Sequence, residues 1–390
     1  MSCIVITGAT GFIGSALAGA FLANGHRVIC LSRNDPNGER TRQKIIEAMR
    51  GFGFDVSPHV LANLSIEQIN TTQFVEDLNR CSFWKNVEQV WHCAADLTYS
   101  AQNLADSYEY NVRNSVLLYQ KFSEHRACSK RFYYMSTAYV AGNVGADIDE
   151  ALHLTPVLGN SYQITKFTTE QTLSLAAQQG NPLTIVRPSI VIGHQKTGWS
   201  NFKPYGLYMF ARGFYKLAKL TTEIRLPIPV EAATNLVSID TVITQAQRLS
   251  EATTNRQHQE VFHLVSAENL HTRTLLTTVA EQIGLTLQYE PAQSLLERKL
   301  EKFIEPNRLY STQTWNFQIH KLRALLQDHP EAFASVDAHS LASIIKIYYA
   351  HLHSKERKKQ SSSVHRSVTQ SHQNNPEDKR LPHHHEEQIA

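Results

Sequence analysis

Tyr162 and Lys166 are the side chains with the clearest chemical potential. They stand four apart in Asn160-Ser161-Tyr162-Gln163-Ile164-Thr165-Lys166, which reads as the start of a helix capped by Asn160 or Ser161. That spacing puts both on one helical face. A lysine ammonium beside a phenol favours the phenolate and draws its pKa toward working pH, which suits proton transfer. Upstream, Tyr134-Met135-Ser136-Thr137-Ala138-Tyr139-Val140-Ala141-Gly142 closes an apolar strand. Ser136 and Thr137 therefore fall at the carboxyl edge of a sheet, where Thr137 can hydrogen-bond a carbonyl oxygen alongside Tyr162.

A second group of residues fits a nucleotide. Gly8-Ala9-Thr10-Gly11-Phe12-Ile13-Gly14 has the spacing GxxGxxG, directly after the apolar run Cys3-Ile4-Val5-Ile6-Thr7 and at the opening of a helical pattern. One glycine permits a tight turn, another lets backbone N–H groups approach a pyrophosphate, and the last allows close helix packing. The strand before and the helix after supply the context that such a motif requires. The second strand ends at Leu31-Ser32-Arg33-Asn34. Arg33 offers a planar fork that suits a 2′-phosphate, with Arg40 or Arg42 as a second contact. Asp35 would serve a ribose hydroxyl instead if the strand ended later. NADPH rather than NADH is the expected cofactor.

These residues need a scaffold, and the first half of the chain has its rhythm. Strands are expected at Cys3 to Thr7, Arg27 to Leu31, His59-Val60-Leu61, Gln89 to His92, Arg131 to Met135 and Leu183 to Val186, with helical stretches between them. Apolar strands alternating with helices imply a doubly wound parallel sheet, with ligands at the carboxyl ends of its strands. From about Gly193 the rhythm changes. An aromatic cluster over 202–215 reads as helix-core packing or as the apolar wall of a ligand slot, with Lys216 and Lys219 on a solvated helix face or at a phosphate beside it, and a strand (260–265) and further helices follow. The expected fold is α/β: a Rossmann-type domain over 1–192, to which strands from about 234–265 return, and a smaller mixed α/β substrate lobe over 193–354. A tail over 355–390, almost free of apolar residues, reads as disordered.

The order and approximate spacing of Gly8 to Gly14, Asn111-Val112, Ser136-Thr137-Ala138, Tyr162 to Lys166 and Arg187-Pro188-Ser189 resemble the extended short-chain dehydrogenase/reductases, over about residues 1–270. Within that superfamily the phrases Cys30-Leu31-Ser32-Arg33, Met135 to Gly142 and Arg187-Pro188-Ser189-Ile190-Val191-Ile192-Gly193 are most similar to the thioester reductases and fatty acyl-CoA reductases. The resemblance implies a Thr137-Tyr162-Lys166 triad, with Ser136 as helper and Asn111 steadying the active-site helix. It also implies cofactor contacts from Ala94, Ala95 and the loop Pro188-Ser189-Ile190, and from Tyr162 and Lys166 themselves. The family usually carries Gly-Asp-Leu after strand three; here Ala62-Asn63-Leu64 is read in that place, with Asn63 and Leu64 near the adenine. The activity implied is NADPH-dependent reduction of an acyl thioester, on CoA or a carrier protein, to aldehyde or alcohol. A nucleotide-sugar epimerase or dehydratase, or a sterol-type alcohol dehydrogenase, would use the same fold. A nucleotide sensor without catalysis would be expected to lack the tyrosine or lysine.

Composition bounds the rest. The 390 residues carry a net charge of +3 and 42% hydrophobic residues, which supports a large core and gives no global pull toward nucleic acid. Five cysteines without CxxC spacing suit a reducing compartment. No signal peptide or membrane span is read, so a cytoplasmic protein is expected, and a homodimer is compatible with the reading. No metal site is expected. Seven of the 19 histidines lie at or beyond His351, including the run His383–His385.

Overall fold

The computed structural model describes residues 1–127, 129–142, 147–253 and 259–373, with side chains described to 358. In chain order the principal elements are β1 (Cys3–Thr7), α1 (Phe12–Ala23), β2 (Arg27–Ser32), α2 (Glu39–Phe52), β3 (Leu64–Gln68), β4 (Gln89–His92), α3 (Asn114–Ser123), β5 (Arg131–Met135), α4 (Ser161–Ala177) and β6 (Leu183–Pro188). The second half adds β7 (Ile190–Ile192), α5 (Leu207–Leu217), β8 (Leu236–Ser238), α6 (Ile239–Thr253), β9 (Glu260–Leu264), α7 (Thr272–Glu281), α8 (Leu295–Thr312) and α9 (Ala338–Gln373).

Seven strands form one parallel sheet in the order β9-β6-β5-β4-β1-β2-β3. The order reverses between β1 and β4, which is where doubly wound sheets open a crevice for ligands. β1, β5 and β6 are buried along their whole length, the expected state of strands covered on both faces. Alternate residues feed two cores. Ile4, Ile6, Trp91, Tyr133 and Met135 join residues of α1 and α6 on one side. Val5, Val90, Phe132, Tyr134 and Leu173 join residues of α3 on the other. Trp91 stacks on Tyr133 with centroids 4.1 Å apart.

Three parts of the chain bear on the expected fold. The strand read near Val261 does return to the main sheet, as β9 at its edge. The third strand is displaced. Pro58 opens a four-residue helical turn, Pro58–Leu61, so the run His59-Val60-Leu61 is helical and β3 begins at Leu64. Finally, α9 is described to Gln373, with side chains described to 358. Its Lys-Glu-Arg-Lys-Lys-Gln segment is made of good helix formers, which extend a helix already started at Ala338. The remainder of the tail over 355–390, with His383–His385, lies outside the described residues, as does Cys128. Residues 1–348 form one compact unit, and those from Tyr349 onward a second. Among the described residues, no helix is long and apolar enough to cross a membrane, and no cluster of His, Cys, Asp or Glu could hold a metal.

Candidate active site

The carboxyl ends of β1, β4, β5 and β6 carry most of the residues singled out above. After β1, Gly8 adopts φ +73°, a left-handed turn that glycine takes without strain. A side chain there would also collide with Ala94 N at 2.7 Å, so the glycine turn and the Cys93-Ala94-Ala95 loop after β4 lie against each other. Ala94 N–H donates to Thr7 Oγ1 at 3.1 Å. A Cβ on Gly14 would stand 2.3 Å from Gly8 O. Gly11 caps α1 without a side chain, so Thr10, Phe12 and Ile13 surround a bare helix N-terminus, the geometry that receives a phosphate anion.

Arg33 follows the last residue of β2 and is exposed, its guanidinium 5.1 Å above the ring of Tyr110. Asp35 is engaged elsewhere. Its carboxylate accepts from Arg40 N–H at 3.2 Å and from Thr41 N–H and Thr41 Oγ1 at 2.8 and 2.6 Å. Burial opposes its ionisation, but these bonds win and hold its pKa below the ordinary carboxylate value. Asn63 and Leu64 are not at this edge. Asn63 O accepts from Val28 N–H near the start of β2, so the pair sits at the amino end of β3. The five residues of β3 put that end roughly 16 Å from the carboxyl edge. Gln68, in register with Ser32, occupies the carboxyl end of β3, followed by Ile69 and Asn70. The alternation Leu64-Ser65-Ile66-Glu67-Gln68 was the available sign of the true strand.

Asn160 caps α4, its Oδ1 accepting from Gln163 N–H at 2.9 Å. Two anchors lay the first turns of α4 across the turn that contains Thr137. Lys166 Nζ donates to Met135 O at 2.6 Å, and Gln163 Nε2 donates to Tyr139 O at 3.1 Å. The Thr137 hydroxyl accepts from Tyr139 N–H at 3.4 Å, which leaves its own proton to donate. Ser136 Oγ is buried with no partner among the described residues. Asn111 lies in a π-turn, Glu109–Arg113, a distortion common at functional sites. Its amide donates to Thr165 Oγ1 on α4 and to Asp96 O, both at 2.9 Å, and its Oδ1 accepts from Asp96 N–H at 2.7 Å.

The electrostatics differ from the expected pairing. Lys166 Nζ is 6.0 Å from the Tyr162 ring centroid and closer, 4.6 Å, to that of Tyr134. Burial draws the Lys166 pKa down to about 8, while the packed surroundings and the Tyr310 phenol push Tyr162 above its ordinary value. Tyr162 therefore keeps its proton. His92, below them, bridges Thr7 Oγ1 and Ser115 Oγ at 2.7 Å each and is held neutral, its pKa drawn down to about 3 by burial and by the Lys166 charge.

A narrow, mostly apolar cleft opens nearby, walled by Ile190, Leu207, Phe210, Leu236, Leu276 and Tyr310, among others. Ile190 follows Pro188 and Ser189, and Ser189 Oγ donates to Asn235 Oδ1 at 2.6 Å. Within the aromatic stretch over 202–215, Phe210 faces this cleft, whereas Phe214 and Tyr215 are buried and Tyr208 OH accepts from Gly193 N–H. Lys216 and Lys219 are exposed and lie over the rings of Phe303 and Tyr215. Tyr99 and Tyr310 complete the surroundings of Tyr162. Neither was legible in the sequence, since 63 and 148 positions separate them from Tyr162.

A family model described as male sterility protein, an NAD-binding domain, matches residues 6–246. A non-reducing polyketide synthase of Emericella nidulans is 27% identical over 207 residues, which is 51% of this chain and 8% of that protein. This chain thus spans less than a tenth of the synthase. Fatty acyl-CoA reductase 2 of Mus musculus is 26% identical over 373 residues, 83% of this chain and 68% of the mouse protein. Among solved structures, the terminal R domain from the myxalamid PKS-NRPS biosynthetic pathway superposes with a TM-score of 0.74 at 20% identity, over 90% of this chain and 91% of that one. UDP-glucuronic acid 4-epimerase from Bacillus cereus, in complex with NAD, gives 0.60 at 18% identity, over 89% and 96%. At these identities the two structures speak to the fold alone.

Proposed function

This chain belongs to the male sterility protein family, NAD(P)-dependent oxidoreductases of the extended short-chain dehydrogenase/reductase type, and we propose that it reduces acyl thioesters with NADPH. The carrying observation is the meeting at one sheet edge of a protonated tyrosine, a buried lysine and an apolar cleft. The glycine turn with Thr10, Phe12 and Ile13 would hold the pyrophosphate, and Arg33 the 2′-phosphate. The occupied carboxylate of Asp35 favours NADPH over NADH, because no acid is left at the end of β2 for a ribose hydroxyl. Ala94, Ala95 and the Pro188-Ser189-Ile190 loop would line the nicotinamide side. When bound, the cofactor supplies a hydride to the carbonyl carbon.

The remaining work falls to the chain. Tyr162, whose proton is retained, gives it to the carbonyl oxygen, and Thr137 donates a hydrogen bond to the same atom. The resulting hemithioacetal breaks its C–S bond as its hydroxyl proton returns to the Tyr162 phenolate, and the thiolate released beside the aldehyde takes a proton from solvent. Lys166, nearly discharged at mildly alkaline pH, balances the phenolate left on Tyr162 once it takes up a proton. Acid catalysis of this kind contributes roughly 10²–10⁴-fold. Asn111 holds α4 to the Asp96 loop, and the cleft beside Ile190 receives the acyl group, carried on CoA or on a carrier protein.

The test is NADPH consumption against acyl-CoAs, acylated carriers, aldehydes and nucleotide sugars, with products identified by mass. Aldehyde or alcohol from a thioester is the expected product. Turnover confined to nucleotide sugars would overturn the assignment.

A further inference from the structure

The second half of the chain sends a tyrosine to the edge where Tyr162 stands. Tyr310 lies in the last turn of α8, one turn after Pro306, and is buried. Its ring packs edge-on against Tyr139 at 4.7 Å and tilts against Trp315 at 5.9 Å. Its hydroxyl accepts from Asn160 Nδ2 at 3.1 Å, and the phenol of Tyr99 lies close enough to act on it electrostatically. Both neighbours bear on Tyr162. Asn160 caps the turn of α4 that carries it, and the Tyr99 ring lies 6.1 Å from its ring. Tyr310 also borders the apolar cleft, next to Ile190, Leu236 and Thr234. Thr234 Oγ1 donates to Tyr310 O at 3.2 Å, which fixes the backbone at this point.

We propose that Tyr310 is a positioning residue through which the fit of the acyl group in the cleft is transmitted to Tyr162. The inference rests on the thioester-reductase reading above. A phenol tied at its hydroxyl and wedged between two aromatic rings has little freedom left. An acyl group that fills the cleft holds the ring against Asn160 and Tyr99, and a shorter one leaves that side unsupported. Misplacing a reacting group by about 1 Å costs about 10²-fold, so the fit registers in turnover as well as in binding.

Steady-state NADPH oxidation by the full chain, with saturated acyl-CoA thioesters graded from acetyl to palmitoyl, tests this directly. Wild type should show a kcat that peaks at an intermediate chain length. Tyr310→Phe keeps the ring and removes the hydroxyl. It should lower the peak kcat roughly ten-fold and flatten the length dependence, with KM for each thioester within about two-fold. Asn160→Asp, which keeps the cap on α4 and removes the donor to Tyr310, should act in the same way, and the double variant should be no worse than either single one, since both break the same hydrogen bond. Asn160→Asp carries the test alone if Tyr310→Phe fails to fold. A merely structural role would lower kcat equally at every length and depress NADPH affinity. That result, or an unchanged length profile in Tyr310→Phe, overturns the inference while leaving the reductase reading intact. Wild type inert toward every thioester overturns both.

Discussion

Lys166 and Tyr162 are pushed in opposite directions by the same surroundings: the lysine toward its neutral form, the phenol toward its protonated form. The sequence spacing pointed to the opposite effect, a lysine charge that lowers the phenol's pKa. The structure instead aims Lys166 at Met135 O and the Tyr134 ring. A protonated phenol is the form needed to donate a proton in a reduction. Arg33, exposed at the end of β2, is the residue proposed to meet the 2′-phosphate. Hydrogen bonds to charged groups contribute about 1.5–3 kcal/mol, so Arg33→Ala should cut the preference for NADPH over NADH by roughly 10- to 100-fold. Fluorescence titration with both cofactors measures it. An unchanged ratio would remove Arg33 from the 2′-phosphate site.

Among the elements, the joint between α4 and β6 fixes the helix that carries Tyr162 and Lys166 to the sheet. Arg187 on β6 donates from Nε and Nη2 to the two carboxylate oxygens of Glu170 on α4, at 2.9 and 2.6 Å, with both side chains fully buried. Its Nη1 donates to Ala151 O at 2.8 Å. Removing one member of a buried pair strands the other charge, so Glu170→Ala should cost about 3–5 kcal/mol in urea unfolding. A loss below about 1 kcal/mol, the worth of a surface pair, would show that the joint is dispensable. Elements also mark how far the sequence could be read. The strand ends carrying Gly8, Thr137 and Pro188 were legible, because uninterrupted apolar runs and glycine punctuation announce buried parallel strands. β3 was misplaced because His59-Val60-Leu61 has strand composition, yet Pro58 starts a helical turn there. Asn63 and Leu64 were carried to the wrong end of the sheet with it. The pairing of Asp147–Ile148 with Asn316–Phe317 joins segments too distant in sequence for any local pattern to reveal.

The whole molecule depends on groups that folding keeps uncharged. His92, His153 and His263 have pKa values drawn down to about 3, 4 and 3, in each case first by burial and then by a neighbouring cation, Lys166 for His92 and Arg187 for the other two. As pH falls below 6.5, the unfolded chain takes up protons that the folded chain refuses. The stability these three histidines provide is therefore full above 6.5 and is lost as pH falls toward about 3. Thermal unfolding midpoints should decline through that window, and His92→Gln should make the decline shallower. An identical slope would show that His92 does not govern the acid limb. Tyr99, Tyr162 and Tyr310 make the same point about the fold. Residues from a loop, a helix of the sheet domain and the last turn of α8 meet only when the chain has closed, which is why that part of the site was not legible in sequence. The central claim, hydride delivery to a thioester carbonyl with Tyr162 as acid, is tested most directly with NADPH deuterated at nicotinamide C4 and a medium-chain acyl-CoA. One deuterium is expected on the carbonyl carbon of the aldehyde by mass spectrometry, with turnover reduced at least 10²-fold in Tyr162→Phe. Product without deuterium, or full turnover in Tyr162→Phe, would contradict it.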